Sequence, residues 1–120
     1  MTINIPGIDV EKGLALYDDE EDIYLIVLKS YAANTPAVLD KIRSVSQETL
    51  ANYSISVHGI KGTSANIGAV KIQEAALELE KLSKAGDLDG VLAKNENFIK
   101  NVEDTIKGID TWLEQNPQDE

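Results

Sequence analysis

From Tyr24 to Leu113 the apolar residues of this chain recur at intervals of three and four, and that period leaves little choice of fold. It runs through Tyr24, Val27, Leu28, Tyr31, Thr35, Val38, Leu39, Ile42 and Val45, then through Leu50, Tyr53, Val57, Ile60, Ser64 and Ile67. It resumes at Ile72, Ala75, Ala76, Leu79 and Leu82, and again at Leu88, Val91, Leu92, Phe98, Ile99, Val102, Ile106, Ile109 and Leu113. Each run is one face of an α-helix that must bury its stripe against another. The connections between runs are too short for anything but antiparallel neighbours. The pattern therefore predicts an all-α fold, an antiparallel four-helix bundle with an additional short N-terminal helix.

Local signals place the ends. Asp9 is a candidate cap for a short helix over residues 10–17, with Val10, Leu14 and Tyr17 on one face. The acidic run Asp18-Asp19-Glu20-Glu21-Asp22 lacks the alternating spacing and later glutamate of a calcium loop. Acids in the first turn of the next helix, favoured by its dipole, account for it. The apolar register survives Pro36, which predicts one long helix kinked near residues 32–36 rather than two with Thr35 as a cap. Ser46 or Thr49 starts the third helix after a connection at residues 44–47. Gly68 closes that helix in the left-handed conformation; residues 70–84 form the next, ending at Gly86, and Asp87 caps the last. Trp112 is expected to cover the end of the bundle. Residues 1–7 read as a loose arm ending in a Pro-Gly turn and residues 116–120 as a loose polar tail, leaving a core over about 8–115 in a single domain spanning 1–120.

Composition narrows the function classes. At 120 residues, 42% hydrophobic and 27% charged, the chain can bury one modest core. A net charge of −10 argues against nucleic acid and anionic membrane surfaces, whose phosphates it would repel. The absence of cysteine removes disulfide, thiol and thiolate-metal chemistry. Met1 to Pro6 has no basic region or apolar core of signal-peptide length, and no window approaches a membrane span, so the expectation is a cytoplasmic monomer.

One stretch does not serve the bundle. Val57-His58-Gly59-Ile60-Lys61-Gly62-Thr63-Ser64-Ala65-Asn66 holds the sole histidine and places Gly59 and Gly62 inside a helix. Each interior glycine costs roughly 1 kcal/mol relative to alanine, a loss with no structural return. On a helical wheel of about 100° per residue with His58 at zero, the buried stripe falls between about 180° and 280° and the imidazole points away from it. Its outward neighbours are Gly62, Ala65 and Ser54, with Lys61 flanking. An exposed imidazole among small residues and beside a cation is arranged for close approach by another molecule carrying an anionic group. A metal site is disfavoured, because a lone histidine without cysteine or a second ligand at helical spacing is too poor a set for zinc or iron.

The pattern His58-x-Ile60-Lys61-Gly62-x-Ser64-x-x-Ile67-Gly68-Ala69 resembles the signature of histidine-containing phosphotransfer (HPt) domains of two-component phosphorelays, usually His-x-Leu-Lys-Gly-Ser/Ala-Ser/Ala-x-x-Leu-Gly-Ala. Ile60, Thr63 and Ile67 are conservative departures, and Leu79-Glu80 and Ala85-Gly86-Asp87 extend the likeness downstream. The resemblance implies that His58 carries a phosphoryl group taken from the aspartate of a response-regulator receiver domain or from a hybrid histidine kinase. It implies further that magnesium resides on that receiver, with no cofactor bound by this chain. Lys61 would then offset the phosphoryl charge, Gly62 would give access, and Ser54, Ile55, Gly59, Ala65, Asn66 and Lys84 would line the docking surface. No glycine-rich nucleotide loop or Walker sequence is present for handling ATP, so the resemblance implies a carrier rather than an enzyme.

A tight turn at Gly68-Ala69 pairs positions summing to about 137, which sets His58 opposite residues 76–82. Glu80 lies there. It either accepts a hydrogen bond from the imidazole, fixing its tautomer, or pairs with Lys84 one turn on. Ser64 faces inward and is expected to bond a helix carbonyl. Two other functions share these features in part: a helical docking module without transfer activity, and the phosphate-accepting domain of a chemotaxis-type histidine kinase.

Overall fold

In the computed structural model, which describes residues 3–117, five α-helices follow one another through short turns. They are α1 (Val10–Ala15), α2 (Glu21–Ile42), α3 (Leu50–Ala65), α4 (Val70–Lys84) and α5 (Leu88–Gln115), with one 3-10 turn, Gln47–Thr49, leading into α3. Helices α2 to α5 pack as an antiparallel ring, α3 on α4, α4 on α5 and α5 back on α2, with α2 also against α3. This is the four-helix bundle with a short leading helix that the apolar period predicts.

The ends are set by the residues that the sequence marks. Asp9 accepts the Lys12 backbone N–H at 3.1 Å and Asp87 that of Gly90 at 2.9 Å, each satisfying a donor that its helix cannot. Ser46 and Thr49 share the start of α3, the Ser46 N–H donating to Thr49 Oγ1 at 2.8 Å. Gly68 and Gly86 turn the chain with φ of +81° and +75°. Helix α2 runs unbroken through Pro36, which lies on its exposed side.

Tyr24, Leu28, Leu39, Ile42, Val57, Ile60, Ile67, Leu79, Val91, Val102 and Ile109 are fully buried and make the centre of the core. Three tyrosines tie the helices together with hydroxyls inside it. Tyr24 donates to the Ile67 carbonyl at 2.7 Å, Tyr31 shares a 3.0 Å hydrogen bond with Ser64 Oγ, and Tyr53 donates to Asn95 Oδ1 at 2.8 Å. Burial pushes all three phenols above their ordinary range, which keeps them protonated. Ser64 thus pairs with a side chain of α2 and not with a helix carbonyl.

Helix α1 plugs the end of the α3–α4 turn. Asp9 N–H reaches the Gly68 carbonyl at 2.8 Å and Tyr17 Oη donates to the Asn66 carbonyl at 2.9 Å. Gly13 lets α1 settle there, because a Cβ on it would stand 2.6 Å from the Tyr24 ring and 2.8 Å from the Ile67 carbonyl oxygen.

Two further expectations are corrected. Residues 3–7 are not a loose arm: Ile3 and Ile5 are buried, and the segment lies along α5, where Gly108 leaves room for Ile5 and Pro6. Two alternating isoleucines are too short a run to announce themselves as a packed segment. Leu92, read as part of the buried stripe, is exposed. Asn95 Nδ2 donates to the carbonyl of Ile42, the last residue of α2, at 2.7 Å. Leu92 lies almost a turn earlier in α5 and so overhangs the end of α2. At the other terminus Asn116 bonds the Trp112 carbonyl, with Trp112 buried, while Met1, Thr2 and residues 118–120 lie outside the described residues.

Candidate functional site

The site is built on the outer surface of α3 where it meets α4. The side chain of His58 is 63% exposed, and its Nδ1 lies 2.7 Å from Oε2 of Glu80, whose own side chain is only 5% exposed. Glu80 carries two further donors. Lys61 Nζ sits 2.6 Å from Oε1, and Lys84 Nζ lies 3.0 Å from Oε2. The two pairings left open for Glu80 are therefore both present, and Lys61 joins them.

These contacts set the charge of Glu80. The hydrogen bonds from Lys61 first and then Lys84 push the Glu80 carboxyl down to about 2 against the opposing effect of burial, with a smaller contribution from His58. An ionised carboxylate has no proton to give, so the hydrogen between it and the ring belongs to Nδ1. In a neutral ring with its hydrogen on Nδ1, the lone pair lies on Nε2.

The small residues around the ring do what their lack of side chains allows. A Cβ built on Gly59 or on Gly62 would meet nothing within 4 Å. Because side chains on a helix lean towards its N-terminus, anything larger at position 62 would lie over His58 one turn below. Ala65 is half-buried further up the same face.

Ser54 is a correction, for it is buried and offers no docking surface. On the wheel it falls about 20° from Lys61, on the edge of α3 turned towards Glu80 and α4, so it is covered by that interface. The opposite edge behaves otherwise. Ile55 is 72% exposed and, with Gly59, Thr63 and Asn66, borders a groove of about 390 Å³ between α3 and α2. Val27, Tyr31 and Val38 of α2 supply its apolar wall, and among the described residues Lys41 is the one charged residue lining it. Sequence reasoning counted Val27 and Val38 as core. Their half-exposed state follows from lying at the border of the stripe, which a 3–4 spacing alone does not separate from its centre.

Among the described residues no group of three or more His, Cys, Asp or Glu side chains is placed to hold a metal ion, and no helix is long and apolar enough to cross a membrane.

Comparison with curated proteins and with solved structures yields no match. The description of one protein family, the Hpt domain, matches residues 27–115, a span that includes α3, α4 and the whole His58 cluster. The chain belongs to the Hpt domain family, the phosphotransfer modules of two-component signalling.

Proposed function

We propose that this chain is a phosphorelay intermediate that takes a phosphoryl group onto Nε2 of His58 from the phospho-aspartate of a receiver domain, or from a histidine kinase, and passes it to a second receiver. The observation that carries the reading is the division of labour on one ring: Nδ1 is bound to an ionised, buried Glu80 while the other edge faces open space. In the transfer the Nε2 lone pair attacks phosphorus as the aspartyl P–O bond breaks, and the aspartate leaves as a carboxylate. The proton on Nδ1 stays where Glu80 holds it, so no base is required. Glu80 acts as the orienting residue.

Lys61 offsets the charge that accumulates at the ring. Its side chain is 26% exposed and its ammonium is shared with Glu80, so it supports the ring through that carboxylate. The machinery that activates phosphorus, including the magnesium ion, belongs to the partner receiver. Gly59, Gly62 and Ala65 let its loops approach, and the largely uncharged groove beside Ile55 and Asn66 receives its apolar surface. Lys84 stands on the rim. A docking module without transfer activity would have no use for two open glycines and a carboxylate spent on orienting one imidazole.

The test is to mix the chain with a phosphorylated receiver and follow the label. Wild type should acquire an acid-labile, alkali-stable phosphate, and His58→Gln should acquire none while retaining its helical content and melting temperature. A label retained by His58→Gln would move the nucleophile elsewhere and end this reading.

A further inference from the structure

The carboxylate of Glu80 is unequally divided. Oε1 serves Lys61 alone, whereas Oε2 serves both His58 Nδ1 and Lys84 Nζ. Two donors on one oxygen compete for the same electron density, so the hold of that oxygen on the ring depends on whether Lys84 is present. Lys84 is well placed to stay. It lies one turn beyond Glu80 on the same helix, in the last turn of α4, where the helix dipole favours a cation.

We infer that Lys84 is a positioning residue for His58: by sharing Oε2 of Glu80 it weakens the pull of the carboxylate on the ring proton and holds the imidazole in its neutral, Nδ1-protonated form. Without Lys84, Oε2 would belong to the ring alone, and the charged imidazolium would be the better partner for it. A larger share of rings would then carry protons on both nitrogens, with no lone pair left to attack phosphorus. The two lysines therefore play different parts, since Lys61 neutralises the far oxygen and Lys84 tunes the near one.

The charged groups gathered at the ring are Glu80 and Lys84 from α4 and Lys61 from its own helix, while α2 brings Lys41 to the groove on the other flank. Lys81 is exposed on α4 beside Glu80 and has the same charge, so it serves as the control for a through-space effect.

Because the chain has a single histidine, its imidazole signals in an NMR titration are unambiguous. Lys84→Met keeps the aliphatic stem and removes the charge. It should move the midpoint of the His58 titration to higher pH, because the ring loses a neighbouring positive charge that disfavours its own. Lys81→Met should move it by less than half as much, and Lys84→Arg should restore the wild-type curve. In phosphoryl uptake from a phosphorylated receiver, the pH profile of Lys84→Met should move to the alkaline side by the same interval. Equal shifts in Lys84→Met and Lys81→Met, or no shift in Lys84→Met, would overturn the inference. The uptake profile rests on the phosphocarrier reading, but the titration is recorded without any phosphoryl donor. A failed titration therefore sinks the role of Lys84 alone, and a label on His58→Gln sinks the carrier reading alone.

Discussion

One pair of glycines stands where α1 meets the α3–α4 turn and another on the exposed face of α3, and they are there for opposite reasons. At the α1 end, Gly13 and Gly68 are small because this chain's own atoms press on them: the Tyr24 ring and the Ile67 carbonyl in one case, the Asp9 carbonyl in the other. Beside His58, Gly59 and Gly62 are small although nothing of this chain comes near. The first pair stabilises the fold and the second weakens it, since an exposed helix interior gains from any residue with a side chain. A residue that makes its own protein less stable, and packs against nothing in it, is a mark of a partner.

The contrast is tested most forcefully at Gly68. Its φ of +81° disfavours any L side chain, and a Cβ there would overlap the Asp9 carbonyl, beside the Asp9 N–H that bonds Gly68 O at 2.8 Å. Left-handed strain and the lost contact together should make Gly68→Ala about 3 kcal/mol less stable, a fall on the order of 10 °C in melting temperature. A melt within about 2 °C of wild type, equivalent to a few tenths of a kcal/mol, would show that α1 does not press on the turn as described. Uptake of phosphate by the molecules that remain folded should be little changed, since His58 and Glu80 lie more than two turns from the substitution.

Gly62 gives the reverse outcome. Gly62→Gln should raise stability by about 0.5 kcal/mol through helix propensity alone. It should also slow transfer from a receiver by more than about tenfold, because the new side chain leans over the imidazole. More stable and less active is the signature that separates this glycine from Gly68. An undiminished rate would remove the argument that the space around His58 exists for a partner.

What the sequence made legible follows the same divide. The apolar period located every helix, and for α4 it gave the residues 70–84 that the structure shows, because buried stripes and glycine stops are local signals. The register of α3 against α4 was also within reach, since a tight turn at Gly68 leaves only one pairing that brings residue 58 near residue 80. What escaped depends on which surface a neighbouring helix covers. Ser54 and Ile55 are adjacent in sequence and differ by about 100° on the wheel, yet one is buried beside α4 and the other borders an open groove. No spacing within α3 reveals on which side its partners pack. The convergence of Lys61 and Lys84 on one carboxylate was hidden for the same reason, for only the α4 half of it is an i, i+4 relation.

The mildest consequence lies in acid, and it tests whether the His58 cluster differs from the fold's own polar ties. Glu80 is ionised down to about 2, below the ordinary carboxylate value of 4.5, because Lys61 and Lys84 hold its charged form. A folded-state value lowered in this way contributes stability that is complete above about pH 4.5 and disappears as pH falls towards 2. Replacing the group by its neutral isostere, Glu80→Gln, should therefore open a stability gap that narrows steadily as pH falls from about 5 towards 2. Denaturant melts of both proteins at pH 7, 5 and 3 measure that gap. The tyrosine ties at Ser64 and Asn95 have no carboxylate, so Tyr53→Phe should lose the same amount at all three pH values. If the Glu80→Gln gap stays level into acid as the Tyr53→Phe gap does, then Glu80 holds its neighbours by shape and neutral hydrogen bonding. Nothing would then assign the ring proton to Nδ1, and the free lone pair on Nε2 would lose its physical basis.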